Sequence, residues 1–473
     1  MNTAVSTPID QLAPTLQALR AAQATQVPDF AQRRDDLRRL RAAFKAGLPA
    51  MCAAMNADFG NRSRHETLLA DGMTVLREID DLLRHLRRWM RPRRAPLDWL
   101  FLPGRSQIRI QPLGVVGVIS PWNYPVNLAL LPLATAIAAG NHVYLKPSEH
   151  TAHTSQWLRE LLAGVFPPER VAVALGGADV AGAFAALPFD HLFFTGSTAV
   201  GRKVMAAAAP NLTPVTLELG GKSPCIVADG YPPDVAAARI ATGKWLNAGQ
   251  TCIAPDYLLV SAAQRDALVA ALRKEIAVRY PRIEGNADYT CIINDDQYRR
   301  LRGLLDEARE LGAGVVELAE VDAVRGEAER RIAPTLVLDP PEHSRLMREE
   351  IFGPILPIVS VPDVDAAIAY INARERPLAL YHFDHDRQRT ERVLQGTHAG
   401  GVTINDTVLH IAQAGLPFGG IGPSGMGHYH GQFGFLAFSK QKPVFRQSRL
   451  SAMALFKPPY GKLADTLIRF LTR

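Results

Sequence analysis

The chain has 473 residues, of which 47% are hydrophobic and 21% are charged. This composition excludes a disordered or fibrous protein, and the length exceeds what one hydrophobic core supports, so two or three domains are expected. The formal net charge of +7 is modest, and much of it lies in residues 82–96, where leucines recur between arginines. We interpret this run as the solvated face of a helix, so no nucleic-acid partner is predicted.

The N-terminal residues lack a basic segment followed by an apolar core, and the longest apolar stretch, residues 127–140, is too short to cross a bilayer. The cysteines suit a reducing compartment better than a disulfide framework. The sequence therefore predicts a cytoplasmic protein without a transmembrane segment. Neither the cysteine spacing nor a motif such as HExxH indicates a metal site, so no metal is predicted.

The predicted elements change in character along the chain. Residues 1–100 show amphipathic helical patterns, and residues 107–120 follow as a pair of strands. From there to about residue 220, apolar strands alternate with helices. Such alternation predicts βαβ units and therefore an α/β fold with a doubly wound, parallel sheet.

The second half repeats this pattern less regularly. Strands are predicted at residues 223–229, 257–262 and 354–361, and helices near residues 232–247, 263–279, 296–311 and 363–375. A glycine-rich segment, residues 416–431, then interrupts the regular pattern. Such segments often shape a site or an interface, although a surface loop explains this one equally well.

A dinucleotide site is predicted where the strand HLFFT runs into the helix TAVGRKV. The turn reads G-x-T-x-x-G through Gly196, Thr198 and Gly201, and differs from the common G-x-G-x-x-G pattern. Gly196 permits a tight turn, Ser197 and Thr198 add hydroxyl donors, and the helix N-terminus suits a pyrophosphate. Taken alone the pattern is weak, because any strand-to-helix turn can carry it.

A second strand ends in LKPSE. This puts Lys146 and Glu149 at the carboxyl end of a parallel strand, where ligands commonly bind in such sheets. The carboxylate suits ribose hydroxyls and should repel a 2′-phosphate. NAD is therefore the predicted cofactor, and NADP remains possible because the lysine can compensate. Taken alone, LKPSE is also explained by a solvated loop.

Three residues together suit covalent catalysis on a carbonyl compound. Cys252, in NAGQTCIAP, is a soft nucleophile at an element end, where backbone N–H groups can lower a thiol pKa. Asn123, in SPWNYPVN, offers an amide donor to an oxyanion, a contribution worth roughly 3 kcal/mol. Glu218, after the strand VTLE, can deprotonate water, and burial would raise its pKa and make it a better base.

Each of these residues also has a plain structural interpretation. A lone cysteine is more often a core residue than a nucleophile, and this is expected of Cys225. Asn123 lies between two prolines and could be a turn residue, and Glu218 could be an ion-pair partner. Several aromatic and histidine side chains could line a pocket or belong to the core: Trp122, Tyr124, Trp245, Phe418, His428 and His430.

The segments PWNYP, KPSE, FTGSTAVG, LELGGKSP, NAGQTC and EEIFGP occur in the order and rough spacing of the aldehyde dehydrogenase superfamily, which the chain therefore resembles over residues 105 to about 440. The resemblance implies a Rossmann-like parallel-sheet cofactor domain, an α/β catalytic domain and a small β flap that mediates dimerisation. It also implies that Glu350 and Phe352, in REEIFGP, hold the nicotinamide ribose and ring.

Within the superfamily the chain resembles the class 3 branch, and residues 400–435 resemble its coniferyl aldehyde dehydrogenases. This implies NAD(P)-dependent oxidation of a hydrophobic aldehyde, either an aromatic enal or a medium- to long-chain aliphatic one, through a cysteine thiohemiacetal and a thioacyl-enzyme. A CoA-acylating or acyl-phosphate reductase of the same fold is the alternative, and Glu218 argues against it. A cofactor-free cysteine hydrolase and a catalytically silent binding protein are weaker alternatives.

The resemblance also implies a division of the chain. The expected parts are an NAD(P)-binding domain of residues 1–92 and 113–217, a catalytic domain of residues 218–425, an oligomerisation flap of residues 93–112 and 426–445, and a tail of residues 446–473. In the tail, Leu463, Leu467 and Leu471 form an apolar stripe, which is expected to dock on a subunit. The expected assembly is a homodimer.

Overall fold

The computed structural model describes residues 6–472, so the predicted domain limits at residues 1 and 473 lie outside the described residues. The α-helices are α1 Ile9–Thr25, α2 Phe30–Phe59, α3 Arg64–Thr67, α4 Thr74–Trp89, α5 Asn127–Ala139, α6 Ala152–Val165, α7 Ala178–Ala185, α8 Thr198–Ala208, α9 Pro233–Trp245, α10 Ala262–Arg279, α11 Asp295–Glu310, α12 Ala323–Glu329, α13 Arg345–Arg348, α14 Val364–Asn372, α15 Arg387–Gly396, α16 Gly431–Ala437 and α17 Lys462–Leu471.

The strands are β1 Arg93–Arg94, β2 Arg105–Pro112, β3 Val115–Ile119, β4 His142–Lys146, β5 Val171–Val173, β6 His191–Thr195, β7 Val215–Glu218, β8 Pro224–Val227, β9 Tyr257–Val260, β10 Gly314–Glu317, β11 Thr335–Leu338, β12 Ile355–Ser360, β13 Ala379–Phe383, β14 Gly401–Ile404, β15 Gly425–Met426 and β16 Ser439–Arg446. Shorter helical segments are the π-helical Leu68–Met73 and the 3₁₀ turns Trp99–Phe101, Glu149–Thr151, Ala209–Asn211, Leu246–Gly249, Leu409–Ala412 and Ala452–Phe456.

The first sheet has the strand order β15-β7-β6-β3-β4-β5. Strands β3 to β7 pair in parallel, and helices α5 to α8 lie in the crossovers between them. The order reverses at β3, so the carboxyl ends of the strands flank a switch point, the usual place for a ligand in such sheets. The predicted Rossmann-like α/β arrangement is confirmed.

The second sheet has the order β10-β11-β12-β9-β8-β13-β14, and its pairs are parallel except for β10 with β11. Strands β8 and β9 are buried along their whole length, as their nearly continuous apolar sequences predict, and β13 is also fully buried. The sequence analysis predicts no strands at β10, β11, β13 and β14, because periodicity alone does not distinguish a short apolar run from a segment of buried helix.

Strands β1, β2 and β16 form a separate antiparallel sheet, which confirms the small β flap. Strand β16 pairs with β2 along its length, from Ser439 opposite Pro112 to Arg446 opposite Arg105. Strand β15, by contrast, pairs with β7 of the first sheet. The positions of the sheets do not test the domain boundaries, which stay predictions.

Among the N-terminal helices, α1 packs against strands β3, β4 and β5, whereas α2 and α4 pack against α5. Asp29 caps α2 by accepting a hydrogen bond of 2.8 Å from the backbone N–H of Gln32. Helix α4 buries Leu82, Leu86 and Trp89 and leaves its arginines exposed, which confirms the interpretation of the basic run. Between residues 6 and 472, no helix combines the length and apolar character needed to cross a membrane.

Candidate active site

Glu218 is the last residue of β7, and its backbone pairs with Thr195 of β6 and Gly425 of β15. Its side chain is buried, and neither carboxylate oxygen has a hydrogen-bond partner among residues 6–472. Burial raises the pKa of Glu218 well above its usual value. A buried carboxyl group without donors holds a proton strongly, which suits a base that must take a proton from water.

The loop between α9 and β9 carries Cys252 and is called the nucleophile loop; it begins with a strained turn. Helix α9 ends at Trp245, and Asn247, Ala248 and Gly249 follow with φ angles of 53°, 51° and 74°. Left-handed backbone is uncommon for residues other than glycine and persists only where surrounding contacts impose it. This turn carries Cys252 to a half-buried position near Glu218 and Glu350, whose charges both act on the thiol.

The electrostatics of Cys252 differ from the sequence expectation. Burial raises the pKa of the thiol to about 12, and the carboxylates of Glu350 and Glu218 add to the shift. The backbone N–H groups of Cys252 and Ile253 act in the opposite direction and have the smaller effect. The prediction of a lowered pKa is therefore wrong, because desolvation and two carboxylates outweigh the local amides. The thiol is held neutral.

Asn123 is buried, and its side chain is tied to the nucleophile loop. Its Nδ2 donates to the carbonyl oxygen of Gln250 at 3.1 Å. The side-chain Nδ2 of Asn247 donates to the carbonyl oxygens of both Asn123 and Gln250, at 3.0 and 3.1 Å. A carboxamide has two N–H donors, so one N–H of Asn123 holds the loop and the second is available to an oxyanion.

Glu350 lies in the segment before β12 of the second sheet, and its side chain is close enough to Cys252 to act on the thiol. A Cβ atom on Gly220 would lie 2.1 Å from Oε2 of Glu350, so this glycine leaves room for the carboxylate just beyond β7. Burial raises the pKa of Glu350 to about 8, and Asp256 adds to the shift, while the backbone N–H of Gly221 and the ammonium of Lys222 oppose it. Glu350 is therefore a second carboxyl group with a raised pKa beside the thiol.

Some of the aromatic side chains singled out in the sequence lie at this site. Trp122 and Phe352 are half-buried and meet edge to face, with ring centroids 5.3 Å apart. The hydroxyl of Tyr124 lies 2.6 Å from Oγ1 of Thr251, next to the nucleophile. Trp245 belongs to the core instead, since it is fully buried and its Nε1 donates to the carbonyl of Pro354 at 3.1 Å.

The cofactor residues predicted from LKPSE form an ion pair. Nζ of Lys146 lies 2.8 Å from Oε2 of Glu149, and the two side chains are 2% and 37% exposed. Burial opposes ionisation of Glu149, but the hydrogen bond and charge of Lys146 prevail and lower the pKa of the carboxyl group. A buried ammonium beside a partly exposed carboxylate at the end of β4 fits the two hydroxyls of a ribose.

The G-x-T-x-x-G turn lies where the sequence places it, between β6 and α8. Ser197 caps α8 by accepting from the backbone N–H of Val200 at 3.4 Å, and Oγ1 of Thr198 donates to the carbonyl of Pro423 at 3.0 Å. A Cβ atom on Gly201 would lie 2.6 Å from the side chain of Leu219, so this glycine permits close helix–strand packing. The start of α8, where backbone N–H groups and the positive end of the helix dipole lie, fits a pyrophosphate.

The glycine-rich segment of residues 416–431 is partly buried and partly exposed. Strand β15 pairs with β7, and Phe418 and Tyr429 form a β-bridge. His430 is buried with a φ of 84° and stacks on Phe418 at 5.5 Å, and burial lowers the pKa of His430 to about 4. His428 is exposed. The segment therefore supports the strand that ends in Glu218.

Sequence reasoning did not identify the polar residues behind Asn123. Arg62 and Asp71 come from the N-terminal helical region and contact the SPWNYPVN loop. Glu66 accepts hydrogen bonds from the backbone N–H of Asn247 at 3.1 Å and from Oγ1 of Thr290 at 2.8 Å. Burial raises the pKa of Glu66 to about 7. No local motif marks these residues, because their partners in the SPWNYPVN loop, at Asn247 and at Thr290 lie more than fifty positions away.

Comparisons with known proteins were consistent with each other. The sequence profile of the aldehyde dehydrogenase family matches residues 10–444. A protein of Pseudomonas aeruginosa named "Probable coniferyl aldehyde dehydrogenase" is 50% identical over 461 residues, 97% of this chain and 96% of that one. "Aldehyde dehydrogenase family 3 member A2" of Rattus norvegicus is 44% identical over 84% of this chain and 79% of that one. A structure of the substrate-bound state of Staphylococcus aureus AldH has a TM-score of 0.92 at 37% identity, over 99% of this chain and 100% of that chain.

Proposed function

The chain belongs to the aldehyde dehydrogenase family, whose members use NAD(P), and from this premise we propose that it oxidises a hydrophobic aldehyde to the carboxylic acid with NAD as the preferred cofactor. The overall reaction converts an aldehyde, NAD(P)⁺ and water into a carboxylic acid, NAD(P)H and a proton. The observation that carries the proposal is the convergence of a nucleophile, two buried carboxyl groups with raised pKa values and an amide donor at one place.

In the first half of the proposed reaction, Sγ of Cys252 forms a bond to the carbonyl carbon. The thiol proton passes to the carboxylate of Glu350, whose charge acts on the thiol more strongly than that of Glu218, because a thiol with a pKa of about 12 is otherwise a poor nucleophile at neutral pH. The carbonyl oxygen becomes an oxyanion, and the available N–H of Asn123 donates to it. Loss of a hydride from the carbon leaves an acyl thioester on Cys252.

In the second half, Glu218 takes a proton from water, and the resulting hydroxide adds to the thioester carbonyl. The C–S bond then breaks, the carboxylic acid leaves, the sulfur recovers its proton from Glu350, and Glu218 releases the proton taken from water to solvent. The raised pKa of Glu218 favours this step, because the carboxylate is a stronger base than an exposed glutamate. Glu218 also distinguishes this proposal from a CoA-acylating or acyl-phosphate reductase, in which a water-activating base would waste the thioester.

When bound, NAD(P)⁺ supplies the oxidant that accepts the hydride. Lys146 and Glu149 would hold the adenosine ribose, and Gly196, Ser197, Thr198 and Gly201 would form the turn under the pyrophosphate. Glu350 and Phe352 would contact the nicotinamide ribose and ring. The carboxylate of Glu149 supports a preference for NAD, since it would meet the 2′-phosphate of NADP.

The proposed substrate is an aromatic enal such as coniferyl aldehyde. Tyr124 contacts Thr251, the residue before Cys252, and Trp122 packs edge to face on Phe352, two residues after Glu350; these rings support an aromatic substrate. The high identity to a protein named as a probable coniferyl aldehyde dehydrogenase supports the same class of substrate. A medium- or long-chain aliphatic aldehyde is the competing substrate.

A homodimer that uses the flap is part of the proposal. On one face of the flap sheet, Arg446 lies opposite Arg105, and Lys442 lies opposite Arg109. Like charges in directly opposed positions destabilise a sheet, so an acidic surface of a second subunit would stabilise it. Trp99 and Phe470, which are 63% and 69% exposed, add apolar area that a partner could cover. Molar mass from light scattering tests this assembly.

The proposal is tested by NADH formation from coniferaldehyde, benzaldehyde, hexanal and decanal without added CoA. Wild type should oxidise coniferaldehyde with the highest kcat/KM, and Cys252→Ala should be inactive. Cys52→Ala, which changes a half-buried cysteine on α2, is the matched control and should retain activity. Activity only in the presence of CoA or phosphate would favour the acylating reductases and overturn the proposed hydrolysis.

A further inference from the structure

The backbone of Asn123, and not only its side chain, is held by side chains from elsewhere in the fold. Its carbonyl oxygen accepts hydrogen bonds from Nη1 of Arg62 at 2.7 Å and from Nδ2 of Asn247 at 3.0 Å. Two donors on one carbonyl fix the plane of the peptide that follows Asn123, and therefore the direction in which its side chain leaves the backbone. Hydrogen bonds therefore hold Asn123 both at its backbone carbonyl and at its side-chain amide.

Arg62 is itself held by a buried carboxylate. Its Nη2 lies 3.2 Å from Oδ2 of Asp71, and both side chains are 0% exposed. The other carboxylate oxygen of Asp71 accepts from the backbone N–H groups of Asn127 at 2.8 Å and Val126 at 3.2 Å. The pair therefore contacts both parts of the SPWNYPVN loop, with Arg62 at Asn123 and Asp71 at the start of α5.

The local structure around this pair is also specialised. Asp71 lies in the π-helical segment Leu68–Met73, a rare geometry that is frequent at functional sites. The guanidinium carbon of Arg62 lies 5.1 Å from the ring centroid of Tyr124, whose hydroxyl contacts Thr251 beside the nucleophile. A buried ion pair contributes little net stability compared with apolar packing, so stability alone gives a weak reason for charges at this position.

We infer that Arg62, oriented by Asp71, is a positioning residue that aims the Asn123 amide at the oxyanion. The inference rests on the proposed function, because it requires Asn123 to donate to the oxyanion. Arg62 touches neither substrate nor cofactor in this role and acts through the Asn123 peptide. Its loss should therefore lower the rate of the steps that create and collapse the oxyanion, and should leave the KM for NAD unchanged.

A double-mutant cycle between Arg62 and Asn123 tests this directly. Asn123→Ala should lower the single-turnover rate of NADH formation by about 100-fold or more, as for loss of one oxyanion donor. Arg62→Met should lower it by about 10-fold to 100-fold, since a small misplacement of a catalytic group has effects of this size. In the Asn123→Ala background, the same Arg62 substitution should change the rate by less than about threefold.

Arg62→Lys provides a second variant in case Arg62→Met does not fold. It keeps a positive charge near Asp71, but it lacks the planar guanidinium that bonds the Asn123 carbonyl and the Asp71 carboxylate together. Its single-turnover rate should therefore fall less than that of Arg62→Met, and the fall should again disappear in the Asn123→Ala background. The matched control is Arg170→Lys, which alters another buried arginine–aspartate pair, with Asp36, remote from the site. It should lower the melting temperature without changing the single-turnover rate.

The outcomes separate the inference from the proposed function. Equal losses on removing Arg62 with and without Asn123 would assign Arg62 a purely structural role and overturn the inference. A folded Arg62→Met enzyme with an unchanged rate would overturn it as well. If Asn123→Ala alone retains the wild-type rate, the proposed oxyanion role of Asn123 fails, and the inference fails with it.

Discussion

Replacement of Glu149 by glutamine should reverse the cofactor preference. In the protein as folded, the Glu149 carboxylate accepts from Nζ of Lys146 at 2.8 Å, and the lysine side chain is almost completely buried. The substitution keeps the size and one acceptor oxygen but removes the negative charge. Lys146 then lacks its ionic partner and becomes available to a second anion, such as the 2′-phosphate of NADP.

The magnitude follows from two separate effects. A hydrogen bond to a charged group contributes about 1.5–3 kcal/mol. The glutamine would accept weaker hydrogen bonds from the ribose hydroxyls than the carboxylate does, so the affinity for NAD should fall by roughly 10-fold to 150-fold. A carboxylate and a phosphate charge at 4 Å repel by about 4 kcal/mol at an effective dielectric constant of 20. Glu149 is partly exposed, so solvent and salt reduce this repulsion. The ratio of kcat/KM for NAD to that for NADP should fall by about 100-fold or more.

The assay measures kcat/KM for both cofactors with one aldehyde at physiological ionic strength, together with the melting temperature. Glu275→Gln is the matched control, since Glu275 pairs with Arg279 at 2.9 Å on the remote helix α10. The control should leave the cofactor ratio unchanged. A well-folded Glu149→Gln enzyme whose ratio moves by less than about threefold would refute the ribose role of Glu149 and the electrostatic reasoning behind it.

Three further predictions concern the reacting groups and their support. Without cofactor, alkylation of Cys252 by iodoacetamide should rise about tenfold per pH unit from pH 7 to 10, because only the thiolate reacts and the pKa is raised to about 12; a plateau near neutrality would contradict this. Glu218→Gln should lower kcat by about 10²- to 10⁴-fold but keep a pre-steady-state burst of NADH, and loss of the burst would instead place Glu218 in acylation. Gly425→Ala should lower stability by about 1–3 kcal/mol in a denaturant titration, because the new Cβ would lie 2.5 Å from the carbonyl oxygen of Leu217; unchanged stability would show that β15 does not constrain β7.

The fold and the principal site residues were predictable to the extent that they depend on local sequence. The alternation of apolar strands and helices between residues 107 and 220 predicted the parallel sheet, because such runs have distinct lengths and periodicities. Lys146, Glu149, Gly196 and Glu218 were identifiable because they follow apolar strands, and parallel strands end at a common edge. Strands β10, β11, β13 and β14 were missed because periodicity alone does not distinguish a short apolar run from a segment of buried helix.

Other properties were decided only by tertiary structure. The pKa of Cys252 depends on how deeply the whole fold buries the thiol and on the approach of Glu350 from the second sheet, so the local argument predicted the wrong direction. The pairing of β15 with β7 joins residues about two hundred positions apart. Arg62 and Asp71 meet Asn123 and Asn127 only when the N-terminal helices pack on α5. By itself, the sequence determined which chemical groups are present and at which strand ends they lie, because those features are local. Burial, charge proximity and the orientation of each group arise from long-range packing, and they were decided only when the chain folded.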